Sequence, residues 1–462
     1  MSSPLRNLRR WLRGYGLFLA VLALWLLSGL GAFWHDGLLS WSAGLLYIAY
    51  DSWLIAYVAW NTRQLRALPS ALEGVTPLRL GLLVAARDEA AALPATLVVL
   101  LPQLGPGDHV LVVDDGSTDG SLDRLRAQYD LRPERAGLWR SAAEPRLAVL
   151  VKPHSGKADS LNQGFARLDC EVVVTLDADT RLEPGALAAL RAAFAADPAL
   201  AAACGLLRPR CMPGPTASLF ELFQRFEYLR AFLARAAWAR AEALLLVSGA
   251  FAAYRREVLV TIGGFDRHSL VEDYELIHRL HRHAHDHGLV WRVRLVPEAR
   301  ADTDAPAGPR GFLRQRRRWF AGFLGTQYRY RALHGNPRYG AVGRLMLPVK
   351  AVDTLQPVFG LTAFALLVWF AVSGAPVTAA VLAVIGAKLV MDLAYHLWAL
   401  HLYHRWLGQR TPPSLWPRAL LATLAEPFSF QLLRHLGAGW GWISIITGRR
   451  DWAPQRQPGG GT

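Results

Sequence analysis

The segment 172–180, Val-Val-Val-Thr-Leu-Asp-Ala-Asp-Thr, restricts the possible folds more than any other stretch of the chain. Its first residues are apolar or β-branched, which is typical of a strand buried on both faces of a sheet. Asp177 and Asp179 follow at the carboxyl end of that strand. In open α/β sheets, ligands bind in the crevice beyond such strand ends. Two hard carboxylates there suit a magnesium or manganese ion shared with nucleotide phosphates, although an isolated Asp-x-Asp is also common as a solvated turn.

Strand-like and helix-like blocks alternate upstream of this segment. The predicted strands are 80–86, 110–113 and 147–151, and the predicted helices are 90–101 and 158–168. This order predicts an α/β domain with a mixed, mostly parallel sheet and helices on both faces. No Gly-x-Gly-x-x-Gly follows the first strand, and Gly156-Lys157 lacks the other residues of a phosphate loop. The sequence therefore supports neither a dinucleotide site nor a P-loop.

Two other strands of this block also end in acids. Asp88 follows the first strand, and Asp114-Asp115 follow the second. Because parallel strands end at the same edge of a sheet, we expect these acids to lie near Asp177 and Asp179. A strand-end Asp can accept the imide proton of uracil. Lys157, at a helix start, could meet a diphosphate with its charge and with the helix dipole, although a surface lysine is an equally simple interpretation.

Long apolar segments flank this block. The chain has 462 residues, 52% of them hydrophobic, and its mean hydropathy of +0.18 is high for a soluble protein. Residues 15–34 carry no charge and 38–60 carry only Asp51, so both are predicted to span a bilayer. Arginines lie before the first span and at positions 63 and 66. The positive-inside rule then places the amino terminus and the α/β block on the cytoplasmic side of the membrane. The expected location is a bacterial-type inner membrane.

The carboxyl-terminal region is apolar again. Residues 345–373 and 375–399 are predicted spans, and Lys388 and Asp392 in the second are expected to pair inside a helix bundle. The segment 419–447 contains Glu426-Pro427, so a crossing and a broken or re-entrant helix both remain open. The net charge of +15 is compatible with nucleic acid, an anionic membrane or a phosphorylated substrate. The apolar surroundings favour the last two, and no nucleic-acid partner is expected.

Two further segments allow alternative interpretations. Residues 218–247 place aromatic side chains at helical spacing, which fits core helices or, as favoured here, helices on the membrane surface. Histidines at 281, 283, 285 and 287 have spacings that zinc could use on a helix, but no acid or Cys completes a distinct site. The three cysteines also lack metal-ligand spacing, and a reduced compartment is the default expectation.

Five motifs in a fixed order carry a family resemblance. They are Asp114-Asp115-Gly-Ser, Gly156-Lys157-Ala-Asp-Ser-Leu-Asn, Asp177-Ala-Asp179, Glu272-Asp273 and Gln315-Arg-Arg-Arg318-Trp319. The series resembles that of membrane-embedded family 2 glycosyltransferases, which include cellulose, chitin, hyaluronan and poly-N-acetylglucosamine synthases. The similarity runs from about residue 78 to about residue 325. Asp88-Glu89 stands where the family often has Asn-Glu.

The resemblance implies roles for these residues. Asp273, beside Glu272, would be the catalytic base. Asp88, Asp114, Asp115, Lys157 and Asp177 would bind the donor nucleotide, and Asp179 with Asp177 would hold Mg²⁺ or Mn²⁺. Gln315, Arg318 and Trp319 would contact the diphosphate and the acceptor; they share one face of a helix, while Arg316 and Arg317 are expected to point elsewhere and to meet anionic lipid.

The predicted organisation has five parts: two spans in 1–66, a cytoplasmic GT-A nucleotide-sugar domain in 67–309, interfacial helices in 310–344, about three membrane segments in 345–452 and a tail in 453–462. The expected function is inverting transfer of a sugar from a nucleotide donor, UDP-linked by preference, to a growing β-linked polysaccharide, with export and accessory export subunits left open. A non-processive enzyme acting on a lipid-linked acceptor is the alternative. A nucleotide-sensing membrane transporter without catalysis is the alternative from another class.

Overall fold

The computed structural model describes residues 4–65 and 78–448 of the chain. The predicted boundary at 67, the arginines at 66, 449 and 450, and the tail 453–462 lie outside the described residues. The chain divides into two compact units. Within the described residues, one unit comprises 4–65, 211–241 and 306–448, and the other comprises 78–210 and 242–305.

The strands are, in chain order, β1 (Leu80–Ala86), β2 (His109–Asp114), β3 (Leu131–Arg135), β4 (Leu138–Ser141), β5 (Leu147–Val151), β6 (Val172–Asp177), β7 (Arg181–Leu182), β8 (Leu200–Cys211), β9 (Phe251–Arg255) and β10 (Arg292–Ala305). The helices are α1 (Pro4–Leu30), α2 (Ser42–Thr62), α3 (Leu93–Leu100), α4 (Ser121–Tyr129), α5 (Lys157–Phe165), α6 (Ala186–Ala196), α7 (Ala217–Arg240), α8 (Arg256–Ile262), α9 (Glu272–His287), α10 (Pro309–Arg329), α11 (Leu347–Ser373), α12 (Val377–Trp406), α13 (Leu415–Ala425) and α14 (Phe430–Ile446).

The α/β unit is built on one mixed sheet. Within the described residues it has ten strands in the order β3-β4-β5-β2-β1-β6-β9-β8-β10-β7. The centre, β5-β2-β1-β6, is parallel, and β4, β9 and β7 pair antiparallel with their neighbours. Leu82, Val84, Val112 and Val174 of the central strands are fully buried, which explains their uninterrupted apolar runs. The predicted α/β class with a mixed sheet is confirmed.

One predicted helix begins later than expected. The helix predicted at 90–101 is α3, which starts at Leu93. Residues 88–92 form a turn first, because Asp88 adopts a left-handed φ of 55° and the Glu89 carbonyl accepts hydrogen bonds from the backbone N–H groups of Ala92 and Leu93.

Three helices of the described residues are long and apolar enough to cross a membrane: Tyr15–Phe33, Val342–Ser373 and Val377–Trp406. The predicted second span, 38–60, forms a 3₁₀ helix followed by α2, which does not meet that criterion, so its crossing stays a prediction. The segment 419–447 is divided by a 3₁₀ turn at Glu426–Phe428 into α13 and α14. The predicted break at Glu426-Pro427 is therefore present.

Charged side chains inside the helical unit are paired, as expected for Lys388 and Asp392. These two residues form an ion pair within α12, and the Lys388 ammonium also lies 2.7 Å from Asp51 of α2. Arg230 of α7 pairs with Glu426 at the break between α13 and α14. Pairing of this kind offsets the cost of burying charge among apolar helices.

The predicted membrane-surface position of residues 218–247 is wrong for the apolar face of α7. Its aromatic side chains pack on other helices of the same unit: Phe223 stacks on Phe430 of α14, and Phe226 and Phe232 lie against α12, with ring centroids 5.2 Å from His396 and 5.5 Å from Trp406. An amphipathic pattern does not distinguish a protein partner from lipid, because both supply an apolar surface.

Helix α10 packs closely against α14 through two glycines. A Cβ atom on Gly437 would lie 2.7 Å from the Arg316 Cβ, and one on Gly441 would lie 2.5 Å from the Arg317 carbonyl oxygen. The obstacle at Gly441 is backbone and cannot rotate away. The glycines therefore fix how near the two helices approach.

We expect Gly441→Ala to lower the melting temperature of the full chain, since overpacking of this kind costs about 1–3 kcal/mol. Thermal unfolding in detergent, followed by tryptophan fluorescence, measures the effect. Gly439→Ala on the same helix is the matched control because no atom lies within 4 Å of its added Cβ. Equal melting temperatures for the two variants would contradict the packing argument.

Candidate functional site

The strand ends that carry the predicted acids meet at one edge of the sheet. β1 lies between β2 and β6 and is parallel to both. Ala86 is in register with Asp114, and Ala85 with Asp177. The loops that begin at residues 87, 115 and 178 therefore leave the sheet side by side, as the sequence predicted.

Asp115 is enclosed by the loop that follows β5. Its carboxylate accepts four hydrogen bonds: from the Lys152 ammonium, from the His154 ring (2.7 Å), and from the backbone N–H groups of Ser155 and Gly156 (2.9 Å each). A carboxylate offers about four acceptor positions, so those of Asp115 are filled. Burial raises the pKa of Asp115, but these hydrogen bonds outweigh burial and the net pKa is lowered. The residue is thus a fixed anion that anchors the 152–156 loop.

His154 has a defined tautomer in this arrangement. Its Nε2 lies 2.8 Å from a guanidinium nitrogen of Arg87, which can only donate. Nε2 must therefore accept, and Nδ1 carries the proton that is donated to Asp115. Through these two contacts the His154 ring links the ends of β1, β2 and β5.

Asp88 and Asp114 hold the 116–119 turn. The Asp88 carboxylate accepts from the Thr118 backbone N–H at 2.7 Å, and the Asp114 carboxylate accepts from the Ser117 backbone N–H at 3.2 Å and from its hydroxyl. Burial raises the pKa of Asp114, and the Ser117 hydrogen bonds only partly oppose this. Gly116 adopts a φ of 74°, and an added Cβ would approach the backbone nitrogen of His154 to 3.0 Å. This turn therefore needs glycine.

Lys157 lies at the first position of α5, after Gly156 with its φ of 97°. Its ammonium is 2.5 Å from Asp177 and 3.3 Å from Glu272. Burial lowers the pKa of Lys157, but the carboxylates of Asp177 and Glu272 outweigh burial, and the net pKa is raised. The lysine is therefore a permanent cation that joins the end of β6 to the start of α9.

Asp273 is the second residue of α9. Its Oδ2 accepts a hydrogen bond from the Gly249 backbone N–H at 2.7 Å, and a Cβ on Gly249 would lie 3.2 Å from that oxygen. The pKa of Asp273 is raised, first by burial and then by the negative charge of Glu272. A partly buried carboxylate with a raised pKa is a better proton acceptor than an exposed aspartate.

Asp177 and Asp179 can be tested as ligands of a divalent cation. The residues 4–65 and 78–448 contain no preformed group of three or more His, Cys, Asp or Glu side chains that could hold a metal. The two carboxylates nevertheless offer hard oxygen donors, and the Lys157 ammonium already occupies a cation position on Asp177. Asp179 lies 3.3 Å from the Thr303 hydroxyl, which donates to it from β10. The donor set fits magnesium or manganese with further ligands from a diphosphate.

Gln315, Arg318 and Trp319 lie on α10, in the helical unit. Gln315 is buried, and its amide oxygen has no hydrogen-bond partner within the described part of the chain. The Arg316 guanidinium lies 4.5 Å from the centre of the Trp319 ring. An arginine over an indole face restricts the orientation of that ring.

Arg316 and Arg317 do not face lipid, contrary to the prediction. Arg316 is buried and forms an ion pair with Glu227 of α7 at 2.7 Å. Arg317 donates to the Ser444 hydroxyl of α14 at 2.8 Å and lies over Trp440. The prediction failed because partners from α7 and α14, distant in sequence, cover this face of α10.

The histidine run does not assemble a metal site in the described residues. His281 points inward, where its Nε2 bonds to the Leu244 carbonyl oxygen at 2.9 Å, and burial lowers its pKa to about 4. His283 stacks between His287 and Trp291. These contacts account for the run through packing.

Sequence reasoning missed Lys152, His154 and Thr303 as parts of the site. Lys152 and His154 follow β5 directly, so the argument from strand ends, applied to that strand as well, would have found them. Thr303 lies near the carboxyl end of β10, and no local pattern links it to Asp179, 124 residues away.

Comparisons with known proteins agree with this fold. The family model described as glycosyl transferase family group 2 matches residues 172–406, about half of the chain. The chain is 26% identical over 252 residues to the poly-beta-1,6-N-acetyl-D-glucosamine synthase of Staphylococcus aureus (strain COL), covering 54% of this chain and 55% of that protein. It is 30% identical over 248 residues to the hyaluronan synthase of Streptococcus pyogenes, covering 51% and 55%. The matched region thus spans about half the length of these curated relatives.

A solved structure is similar over a larger part of the chain. It is a mannosyltransferase from Pyrobaculum calidifontis in complex with GDP-Man and Mn²⁺, with a TM-score of 0.54 and 22% sequence identity, covering 84% of this chain and 98% of that one. The likeness shows the fold. On the match of its family model, the chain belongs to glycosyl transferase family group 2.

Proposed function

We propose that the chain is an inverting membrane glycosyltransferase that moves a sugar from a UDP-linked donor to a growing β-linked polysaccharide. The observation that carries the proposal is the arrangement around Asp273. A carboxylate with a raised pKa lies beside Glu272, and Lys157 joins Glu272 to Asp177 at the end of β6. A proton acceptor and residues suited to a diphosphate therefore belong to one connected network.

Transfer requires one displacement at the anomeric carbon. The acceptor hydroxyl oxygen forms a bond to that carbon, the bond from carbon to the diphosphate oxygen breaks, and the diphosphate keeps the electron pair. The hydroxyl proton passes to the Asp273 carboxylate. The other two carboxylates of the network, Glu272 and Asp177, pair with the Lys157 ammonium, which leaves Asp273 as its base candidate and supports inversion and a β-linked product from an α-linked donor.

Residues on the donor side hold the leaving group. Lys157, at the start of α5, would place its charge and the helix N-terminus near the diphosphate. Asp179 with Asp177 would hold Mg²⁺ or Mn²⁺, which when bound neutralises charge on the departing diphosphate. Asp88, Asp114 and Asp115 would shape the nucleotide pocket through the turns that they anchor.

In the helical unit, two observations support the proposal: the Gln315-Arg-Arg-Arg318-Trp319 motif and the buried amide oxygen of Gln315. Gln315, Arg318 and Trp319 would contact the diphosphate and the acceptor sugar, through charge for Arg318 and ring stacking for Trp319. The buried amide oxygen of Gln315 has no hydrogen-bond partner among the described residues, which supports a polar ligand there. The three long apolar helices support a multi-pass membrane position. The arginines that flank the two predicted amino-terminal spans support a cytoplasmic position of the α/β unit.

A panel of labelled nucleotide sugars, offered to the purified full chain with Mg²⁺ or Mn²⁺, tests the proposal. We expect release of UDP and a labelled polymer that lengthens with time. Products that carry a single added sugar on a lipid would favour the non-processive alternative. Release of GDP alone would correct the base, and no nucleotide release with any donor would leave only the transporter alternative.

The raised pKa of Asp273 predicts an acidic limb in the pH profile. The carboxylate must be ionised to accept a proton, and its ionised fraction is lost at a higher pH than for an ordinary aspartate. We therefore expect turnover to fall on acidification through an apparent pKa above the ordinary value of about 3.9. Glu272→Gln removes the neighbouring charge and should move this limb to lower pH. A limb that stays in place would show that another group controls it.

A further inference from the structure

The acidic end of β6 contains a cation supplied by the chain itself. The Lys157 ammonium contacts Asp177 at 2.5 Å and Glu272 at 3.3 Å. Asp177 is also one of the two acids proposed to hold the divalent ion. We propose that the Lys157 ammonium is the counter-cation of the metal site while no donor is bound. The ammonium releases Asp177 only when a donor diphosphate offers it a new partner. Metal and nucleotide therefore bind with positive coupling.

The backbone at Lys157 is fixed, but its side chain can move. Ser155 and Gly156 are tied to Asp115 through their N–H groups, and Asp115 is held in turn by Lys152. Lys157 begins α5 immediately afterwards. Its side chain is about a third exposed (36%). A lysine of this kind can move its charge by rotating a flexible four-carbon stem, without any change in the fold.

The charges make the ammonium and the metal competitors in the absence of nucleotide. The Lys157 ammonium lies between the carboxylates of Asp177 and Glu272, at 2.5 Å and 3.3 Å, where a divalent ion on Asp177 would also have to lie. A divalent ion on Asp177 would have to approach this ammonium within a few ångströms, where like charges repel strongly. The free enzyme is therefore expected to bind the ion weakly.

A diphosphate changes the balance in two ways. It adds oxygen ligands for the metal, and it gives the ammonium an anion to pair with in place of Asp177. The carboxylate then becomes available to the ion. Linkage requires that UDP tighten Mn²⁺ binding and that Mn²⁺ tighten UDP binding by the same factor.

Mn²⁺ titrations of the full chain in detergent, followed by the electron paramagnetic resonance signal of free Mn²⁺ with and without UDP, test the inference. Relative to the wild type, Lys157→Met should bind Mn²⁺ without UDP at least about fivefold more tightly, which is the lower end of typical coupling. The factor by which UDP tightens Mn²⁺ binding should shrink in the same variant. Lys157→Gln, which keeps a polar contact to Asp177 without the charge, should behave in the same way and serves if the Met variant does not fold.

Arg167→Met is the matched control, because it removes one positive charge just beyond the other end of α5, where Arg167 donates to the Gln163 carbonyl. It should bind Mn²⁺ as the wild type does. Equal or weaker Mn²⁺ binding by both Lys157 variants in the absence of UDP would overturn the inference, as would equal tightening by Arg167→Met. The inference rests on the proposed donor site. If the wild type binds no Mn²⁺ even with UDP, the proposed donor site is overturned as well. If the wild type binds both ligands and the Lys157 variants bind Mn²⁺ with the same affinity as the wild type, only the role of Lys157 as counter-cation is overturned.

Discussion

Replacing Asp273 by Asn is expected to reduce sugar transfer by about 10²–10⁴-fold, the usual contribution of a general base. The amide has nearly the shape of the carboxylate, and its oxygen can still accept the hydrogen bond that Gly249 donates at 2.7 Å. It cannot take a proton from an attacking hydroxyl. Donor and metal binding should change little, because Asp177, Asp179 and Lys157 are untouched. Coupled detection of released UDP gives turnover, and calorimetry with UDP and Mn²⁺ gives binding.

The control for this variant is Asp286→Asn. Asp286 lies at the other end of α9, where it pairs with Arg282 at 3.5 Å, so the same charge is removed from the same helix away from Gly249 and Lys157. Near-normal turnover is expected, since partly exposed ion pairs contribute about 0–1 kcal/mol. Turnover of Asp273→Asn equal to that of this control would remove Asp273 from the role of base.

The central sheet could be predicted because its signals are local. An apolar run predicts a buried strand, and the acid that follows it predicts where the strand ends. This pattern occurs before Asp88, Asp114-Asp115 and Asp177. Parallel pairing of β2, β1 and β6 then brings these ends together. The position of Glu272-Asp273 at a helix start is local as well, because acids favour the first turn.

The partners of these acids could not be predicted in the same way. Gly249 and Thr303 reach Asp273 and Asp179 only through strand pairings and loops that join distant parts of the chain. Lys152 and His154 donate hydrogen bonds to the Asp115 carboxylate, and these contacts depend on side-chain geometry. The spacing of residues along the sequence does not reveal that geometry. The sequence suggested that the Asp115 carboxylate is available to bind a nucleobase. These contacts show instead that it holds the neighbouring 152–156 loop.

The helical unit shows a second limit. The sequence identified apolar and aromatic faces on α7 and α10 but not what covers them. Phe223 finds Phe430, and Arg316 finds Glu227, across long separations in the chain. Lipid and protein place similar demands on such a face, so only the tertiary arrangement separates them.

Replacing Asp179 by Ala should give a different failure from Asp273→Asn. The substitution removes a hard oxygen ligand and leaves Lys157 paired with Asp177, so the acids at the end of β6 lose affinity for the ion. Charge neutralisation by a metal is worth several kcal/mol in the transition state, and we expect transfer to fall by about 10³-fold or more. Unlike Asp273→Asn, this variant should also lose the Mn²⁺-dependent part of UDP binding.

Asp169→Ala is the matched control for Asp179→Ala. Asp169 precedes β6 at the opposite end of the strand, where it is exposed and pairs with Arg79 at 3.0 Å, so its loss tests the effect of one missing carboxylate away from the site. Calorimetry with UDP in the presence and absence of Mn²⁺ separates the cases. Undiminished Mn²⁺-dependent binding by Asp179→Ala would exclude Asp179 as a ligand. We expect Asp179→Ala to lose Mn²⁺-dependent UDP binding, and Asp273→Asn to keep that binding but lose sugar transfer. This pair of results would assign cation binding to Asp179 and proton acceptance to Asp273.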